Sequence, residues 1–180
     1  MRIGDALYFA PGIKASSVST RTPQLVETVV ARLNGYYLVP ASRLNEEKQA
    51  FAAGVLLTCC VDGMTRLDSG RLTTSRGLFI SWVRANLPTF ADEVIATTFY
   101  EDFRCGLVHG TQVCNSSEFN YAPTESAWLK DGVLIVNPER LFREISDALD
   151  RLAMKWQQDQ AAFARLRHVI RADFGPNLKD

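Results

Sequence analysis

The chain has 180 residues, 47% of them apolar and 22% charged, a composition that fits one folded domain over residues 1–180 and excludes a disordered tail. Twenty basic residues balance twenty acidic ones, so no overall charge draws the protein to nucleic acid or to an anionic membrane. Cys59, Cys60, Cys105 and Cys114 form no CxxC pair and follow no signal peptide, which argues against a secreted disulfide scaffold and for a reducing cytoplasm.

Residues 1–22 carry turn chemistry, Pro11-Gly12 followed by a Ser-rich stretch, and read as a loop-like segment. Thr22 then caps and Pro23 starts a helix in which Leu25, Val26, Val29, Val30 and Leu33 recur with helical period until Asn34-Gly35 ends the run. After YYLVP, Ser42 caps a longer helix that carries Leu44, Phe51, Val55, Leu56 and Cys59 on one broad face and reaches about Met64. Its apolar run over 50–61 is shorter than the roughly 18–20 residues of a membrane span. A buried helix and no membrane contact are expected there.

Between 64 and 86 the charge is locally positive, with Arg66, Arg71, Arg76 and Arg84 facing only Asp68; these are candidate RNA-binding residues on an otherwise neutral chain. Leu78, Phe79, Trp82 and Val83 mark a helix that must stop before Pro88. The stretch PTFADEVIATTFYEDFRCGLVH opens with Asp92 and Glu93, as the positive end of a helix dipole prefers, and predicts about six helical turns. Residues 111–137 read as a loop and an inserted β-hairpin in which Asp131-Gly132 turns between 127–130 and 133–136. Asn137 caps and Pro138 starts a last long helix over 138–174, with Leu141, Phe142, Ile145, Leu149, Leu152 and Trp156 on its inner face. The sum is a mainly α fold, an antiparallel bundle of four to five helices with a small β-hairpin inserted before the last long helix.

One segment raises a chemical question. In FYEDFRCGLVHG, residues 99–110, Arg104 precedes one of only two histidines, His109, by five positions. On a straight α-helix the two lie about 140° apart, although Gly106 and Gly110 weaken the helix and let its end deviate. A two-fold dimer would bring both copies of the pair together. Structural explanations are available for each residue: Arg104 can pair with Glu101 or Asp102, and His109 can sit favourably at a helix C-terminus. Cys105 and His109, four apart, can also be read as a thiol with its base, whereas adding Cys114 gives C-x3-H-x4-C without a fourth zinc ligand. His168, among Arg165, Arg167 and Arg171, reads as a polar-face residue of the last helix. No phosphate-binding glycine loop, HExxH or GxSxG occurs, and no metal or cofactor is expected.

An arginine and a histidine with four residues between them, near the end of a helix in a small bundle, resemble the signature of the HEPN superfamily. The flanking segments extend the resemblance to a bacterial HEPN-domain family over about 36–156: YYLVP and FAAGVLLTCCVD upstream, EFNY and LKDGVLIVNP downstream. Many catalytic members are similar in placing Asn, Asp or His directly after the arginine, where this chain has Cys105. The resemblance implies a metal-independent endoribonuclease working as a homodimer, with Arg104 and His109 catalytic and Tyr100, Glu101, Asp102 and Cys105 as neighbours. It also implies a role in toxin–antitoxin or phage-defence systems, with an antitoxin or nucleotidyltransferase-type partner. In other members it implies a non-catalytic module that binds RNA, a nucleotide or a protein. The residue types suit the first reading: histidine exchanges protons near neutral pH, and arginine presents a permanently charged fork to phosphate oxygens. Attack by the RNA 2′-hydroxyl would leave 2′,3′-cyclic phosphate ends and spare DNA. A purely oligomeric or scaffolding bundle is the third possibility.

Overall fold

The structure is a computed structural model and describes residues 2–3 and 5–179, without the side chains of Ile3, Val108 and His109. It is mainly helical, with two small sheets. Strands β1 (Arg2–Ile3), β2 (Ala6–Ala10) and β3 (Ile13–Lys14) form an antiparallel sheet in that order. The first segment is therefore not the loop that its turn residues suggest. Pro11-Gly12 is the turn of a hairpin, Gly12 taking φ +75°, and Phe9, Ala10, Ala15 and Val18 enter the core. The strands are too short for an alternating pattern to stand out, and burial of these few residues anchors them.

Helix α1 (Gln24–Leu33) ends as an α-helix at Asn34-Gly35, but the helical path does not break there. The chain continues through a π-helical turn over Asn34–Leu38, closed by Val39 N–H to the Asn34 carbonyl, into α2 (Val39–Glu46). Gly35 is kept by packing: a Cβ there would meet Pro11 Cγ at 2.5 Å. Ser42 is accordingly inside α2 rather than at a helix start. The long helix expected from Ser42 is two helices, because Lys48 adopts φ 59° and the Gln49 N–H turns back to the Leu44 carbonyl.

Helix α3 (Ala50–Ser69) is the central element, packing on α2 and on the two C-terminal helices over 138–158 and 160–174, and it ends on left-handed Gly70 at φ 74°. At 20 residues it exceeds the apolar run in the sequence and has the length and composition of a membrane span, but half of it is buried inside the protein. Asp62, Arg66 and Asp68 lie along it, each in an ion pair. Cys60 is fully buried and Cys59 exposed, so vicinal thiols face different environments, as the helical repeat requires.

Helix α4 (Arg76–Asn86) starts where Ser75 Oγ accepts from the Leu78 N–H, and it stops before Pro88. After a 3-10 turn at Pro88–Phe90, Asp92 caps α5 (Glu93–Thr98), accepting from the Val94 and Ile95 N–H groups at 2.8 and 3.1 Å. A second π-helical segment over Phe99–Gly110 follows without a break. Strand β4 (Glu118–Phe119) then pairs parallel with β6 (Val133–Val136), which pairs antiparallel with β5 (Ala127–Lys130) across the Asp131-Gly132 turn.

Asn137 caps α6 (Pro138–Gln158) through the Glu139 and Arg140 N–H groups. The helix expected to run unbroken over 138–174 stops at Asp159, which is extended (φ −110°, ψ 113°) and caps a separate α7 (Gln160–Phe174) with its carboxylate. No proline or glycine forces that break; the aspartate side chain competes for the backbone N–H groups of Ala161 and Ala162.

Candidate functional site

The π-helical segment sorts its side chains. Phe99 and Phe103 are fully buried and join Phe79, Phe90 and Phe119 in an aromatic cluster with ring centroids 4.7–5.9 Å apart. Asp102, 2% exposed, accepts from Asn115 Nδ2 and Ser117 Oγ, both at 2.6 Å, while its carbonyl accepts from the Cys114 N–H. These bonds strap the returning loop across the segment. Gly106 makes room for it, since a Cβ would stand 2.5 Å from the Gln112 carbonyl oxygen. The segment ends at left-handed Thr111, whose N–H reaches the Gly106 carbonyl five residues back.

That five-residue hydrogen-bond step changes the geometry read from an α-helix. In wider turns with i→i+5 bonds, positions five apart draw toward one face instead of lying about 140° apart. Backbone positions 104 and 109 are such a pair. The side chain of His109 itself lies outside the described residues.

Arg104 pairs with neither Glu101 nor Asp102. Its Nε donates to Asp62 Oδ1 at 3.1 Å, across to α3, and its guanidinium carbon stands 5.7 Å from the centre of the Tyr100 ring. The Arg104 and Asp62 side chains are 19% and 26% exposed, so the pair is reachable from solvent but partly screened. Partial burial opposes the Arg104 charge; the adjacent Asp62 carboxylate, with Tyr100 and Cys105, more than offsets it and leaves the guanidinium pKa raised. Tyr100 is also raised, first by burial and then by its hydrogen bond with the Cys105 thiol.

The neighbouring groups complete a small polar patch. Cys59, three residues before Asp62 on α3, reaches the surface, yet its pKa is raised because the packed protein on its inner side desolvates the thiolate and Asp62 then disfavours it, with Arg104 opposing. Tyr37, from the first π-helical turn, is raised by burial, against Arg32, and then by Cys59, Cys60 and Asp62. The patch thus sets a firmly charged Arg104 beside the Asp62 side chain, among the Tyr37 and Tyr100 phenols and a Cys59 thiol that all hold their protons more tightly than usual. It can hold an anion through the guanidinium; Cys59, held as a thiol, is a poor nucleophile.

The remaining sequence candidates go elsewhere. Glu101 is paired with Arg76 at 2.7 Å, Arg84 with Glu93 at 3.0 Å, and Arg66 with Asp173 at 3.0 Å; Arg71 is exposed. Three of the four arginines proposed for RNA therefore already have a carboxylate partner. His168 is exposed on α7. Among the described residues, no group of three or more His, Cys, Asp or Glu side chains could hold a metal ion.

Asp62 and Tyr37 are the site residues that sequence reasoning misses. Asp62 is 42 positions from Arg104, and nothing local marks it; the one available signal was an acidic residue directly after the apolar run over 50–61. Compared with protein-family models, with curated proteins and with solved structures, the chain matches none.

Proposed function

We propose that this protein is a HEPN-type, metal-independent endoribonuclease in which Arg104 and His109, contributed by both members of a homodimer, cleave RNA through its own 2′-hydroxyl. The observation that supports the reading is the π-helical backbone of Phe99–Gly110, which draws positions 104 and 109 toward one face. In this scheme the imidazole takes the 2′-hydroxyl proton or returns one to the departing 5′-oxygen. The guanidinium balances charge on the phosphorane-like transition state, as preorganised donors do. The Asp62 carboxylate takes Arg104 through Nε, so it does not itself occupy the terminal nitrogens that a phosphate oxygen would use. A cytoplasmic toxin or defence effector, with an antitoxin or nucleotidyltransferase-type partner, is the setting this reading implies.

The test is incubation of the purified protein with RNA in EDTA, with analysis of the product ends. Cleavage leaving 2′,3′-cyclic phosphates, blocked by a single 2′-deoxy substitution at the cut position, is expected. Products with 5′-phosphate ends, or cutting that needs added metal, would overturn it. The Arg104–Asp62 pair itself favours a second reading, a non-catalytic module, because a carboxylate at 3.1 Å reduces the charge offered to a phosphorane. RNA bound tightly with no cleavage under any condition would select that one.

A further inference from the structure

The break between α6 and α7 opens a cavity of about 410 Å³ against the start of α1, within the size range of small-ligand sites. Trp156 from α6, Pro23 and Val26 from α1, and Phe163, Ala164 and Arg167 from α7 line it. Phe163, Ala164 and Arg167 fall at i, i+1 and i+4, so the apolar ring and the guanidinium share one helix face. Three observations bear on the cavity. The break that creates it is made by Asp159 without proline or glycine. Trp156 is 1% exposed, and its indole N–H has no hydrogen-bond acceptor among the described residues. Arg167 is half-buried and, like most arginines of this chain, has no carboxylate partner among the described residues, so no ion pair already occupies its guanidinium.

From these we infer that the cavity binds a small aromatic carboxylate, its flat apolar body against the accessible Pro23 and Phe163 side chains and its carboxylate on Arg167. Aromatic side chains supply flat contact area, and a guanidinium supplies a charged fork for one carboxylate. Asp159 also lines the cavity; its carboxylate accepts from the Ala161 and Ala162 N–H groups at 2.7 and 3.2 Å at the α7 N-terminus and makes no ion pair with Arg167. The site is separate from Arg104 and does not depend on the ribonuclease reading.

The probes are 2-naphthoate and its uncharged counterpart 2-naphthamide, titrated calorimetrically into the full-length protein. Saturable binding of both is expected, with the carboxylate favoured about tenfold, the equivalent of one charge-assisted contact. Arg167→Gln should erase the preference while keeping naphthamide binding. Ala164→Trp, at an exposed position of the lining, should fill the space and abolish binding of both with the circular dichroism spectrum unchanged. Absence of saturable binding to the wild type, a carboxylate preference that survives Arg167→Gln, or full binding by Ala164→Trp each overturns the assignment.

Discussion

At the scale of single residues, two neighbouring acids do different work. Asp102 is buried and satisfied by two side chains of the returning loop, whereas Glu101 is half exposed and pairs with Arg76. Removing a buried acceptor leaves its donors unsatisfied, while an exposed ion pair contributes little. Asp102→Ala should therefore lower stability by about 3 kcal/mol and Glu101→Ala by less than about 1 kcal/mol, read from urea denaturation of each variant. Cys60 gives a pH-dependent effect. Burial pushes its thiol from the ordinary 9.0 up to about 12, so between those values the unfolded chain loses a proton that the folded one retains. Stability present below pH 9.0 is thus lost as pH rises toward 12, and Cys60→Ala should flatten that alkaline decline in urea melts. A decline of unchanged slope would assign it to other groups, such as Tyr37 and Tyr100.

At the scale of elements, a helix start is legible where its signal is local and tertiary packing does not override it, which holds at Asn137 and fails at Ser42. Asn137-Pro138 stands at its helix start, and Asp131-Gly132 takes positive φ at both positions in the turn between β5 and β6. What is not legible depends on distant partners. Both π-helical segments read as ordinary helix or helix end, since a π-turn differs in hydrogen-bond span and not in residue type. The Arg104–Asp62 pair is hidden for the same reason: local spacing offered Glu101 and Asp102, while tertiary packing supplied an acid from α3. Asp159 shows the converse, a polar residue that looked like helix surface and instead ends one helix and caps the next. The second π-helical segment makes its own prediction. Gly106→Ala puts a Cβ 2.5 Å from the Gln112 carbonyl oxygen, so the returning loop must shift. A loss of about 1–3 kcal/mol is expected, as for overpacked interiors, with amide exchange accelerated over 111–117; unchanged exchange there would show that the loop does not depend on that close approach.

For the whole molecule, the packing of α2, α6 and α7 around α3 explains how so apolar a helix is accommodated, half of it inside the protein. The Arg104 patch lies where α3 meets the second π-helical segment, and the α6–α7 cavity opens beside α1. The proposed chemistry needs both subunits, so mixing Arg104→Ala with His109→Ala protomers should restore part of the cleavage lost by each alone; continued inactivity after subunit exchange would argue for a site within one chain. The central claim, that Arg104 and His109 act on RNA rather than support the fold, is tested most directly by measuring RNA cleavage in EDTA alongside thermal stability for wild type, Arg104→Ala and His109→Ala. Loss of cleavage in both variants, with His109→Ala within about 1 kcal/mol of wild-type stability, is the predicted result. Undiminished cleavage in either variant, or loss of several kcal/mol of stability in His109→Ala, would contradict it.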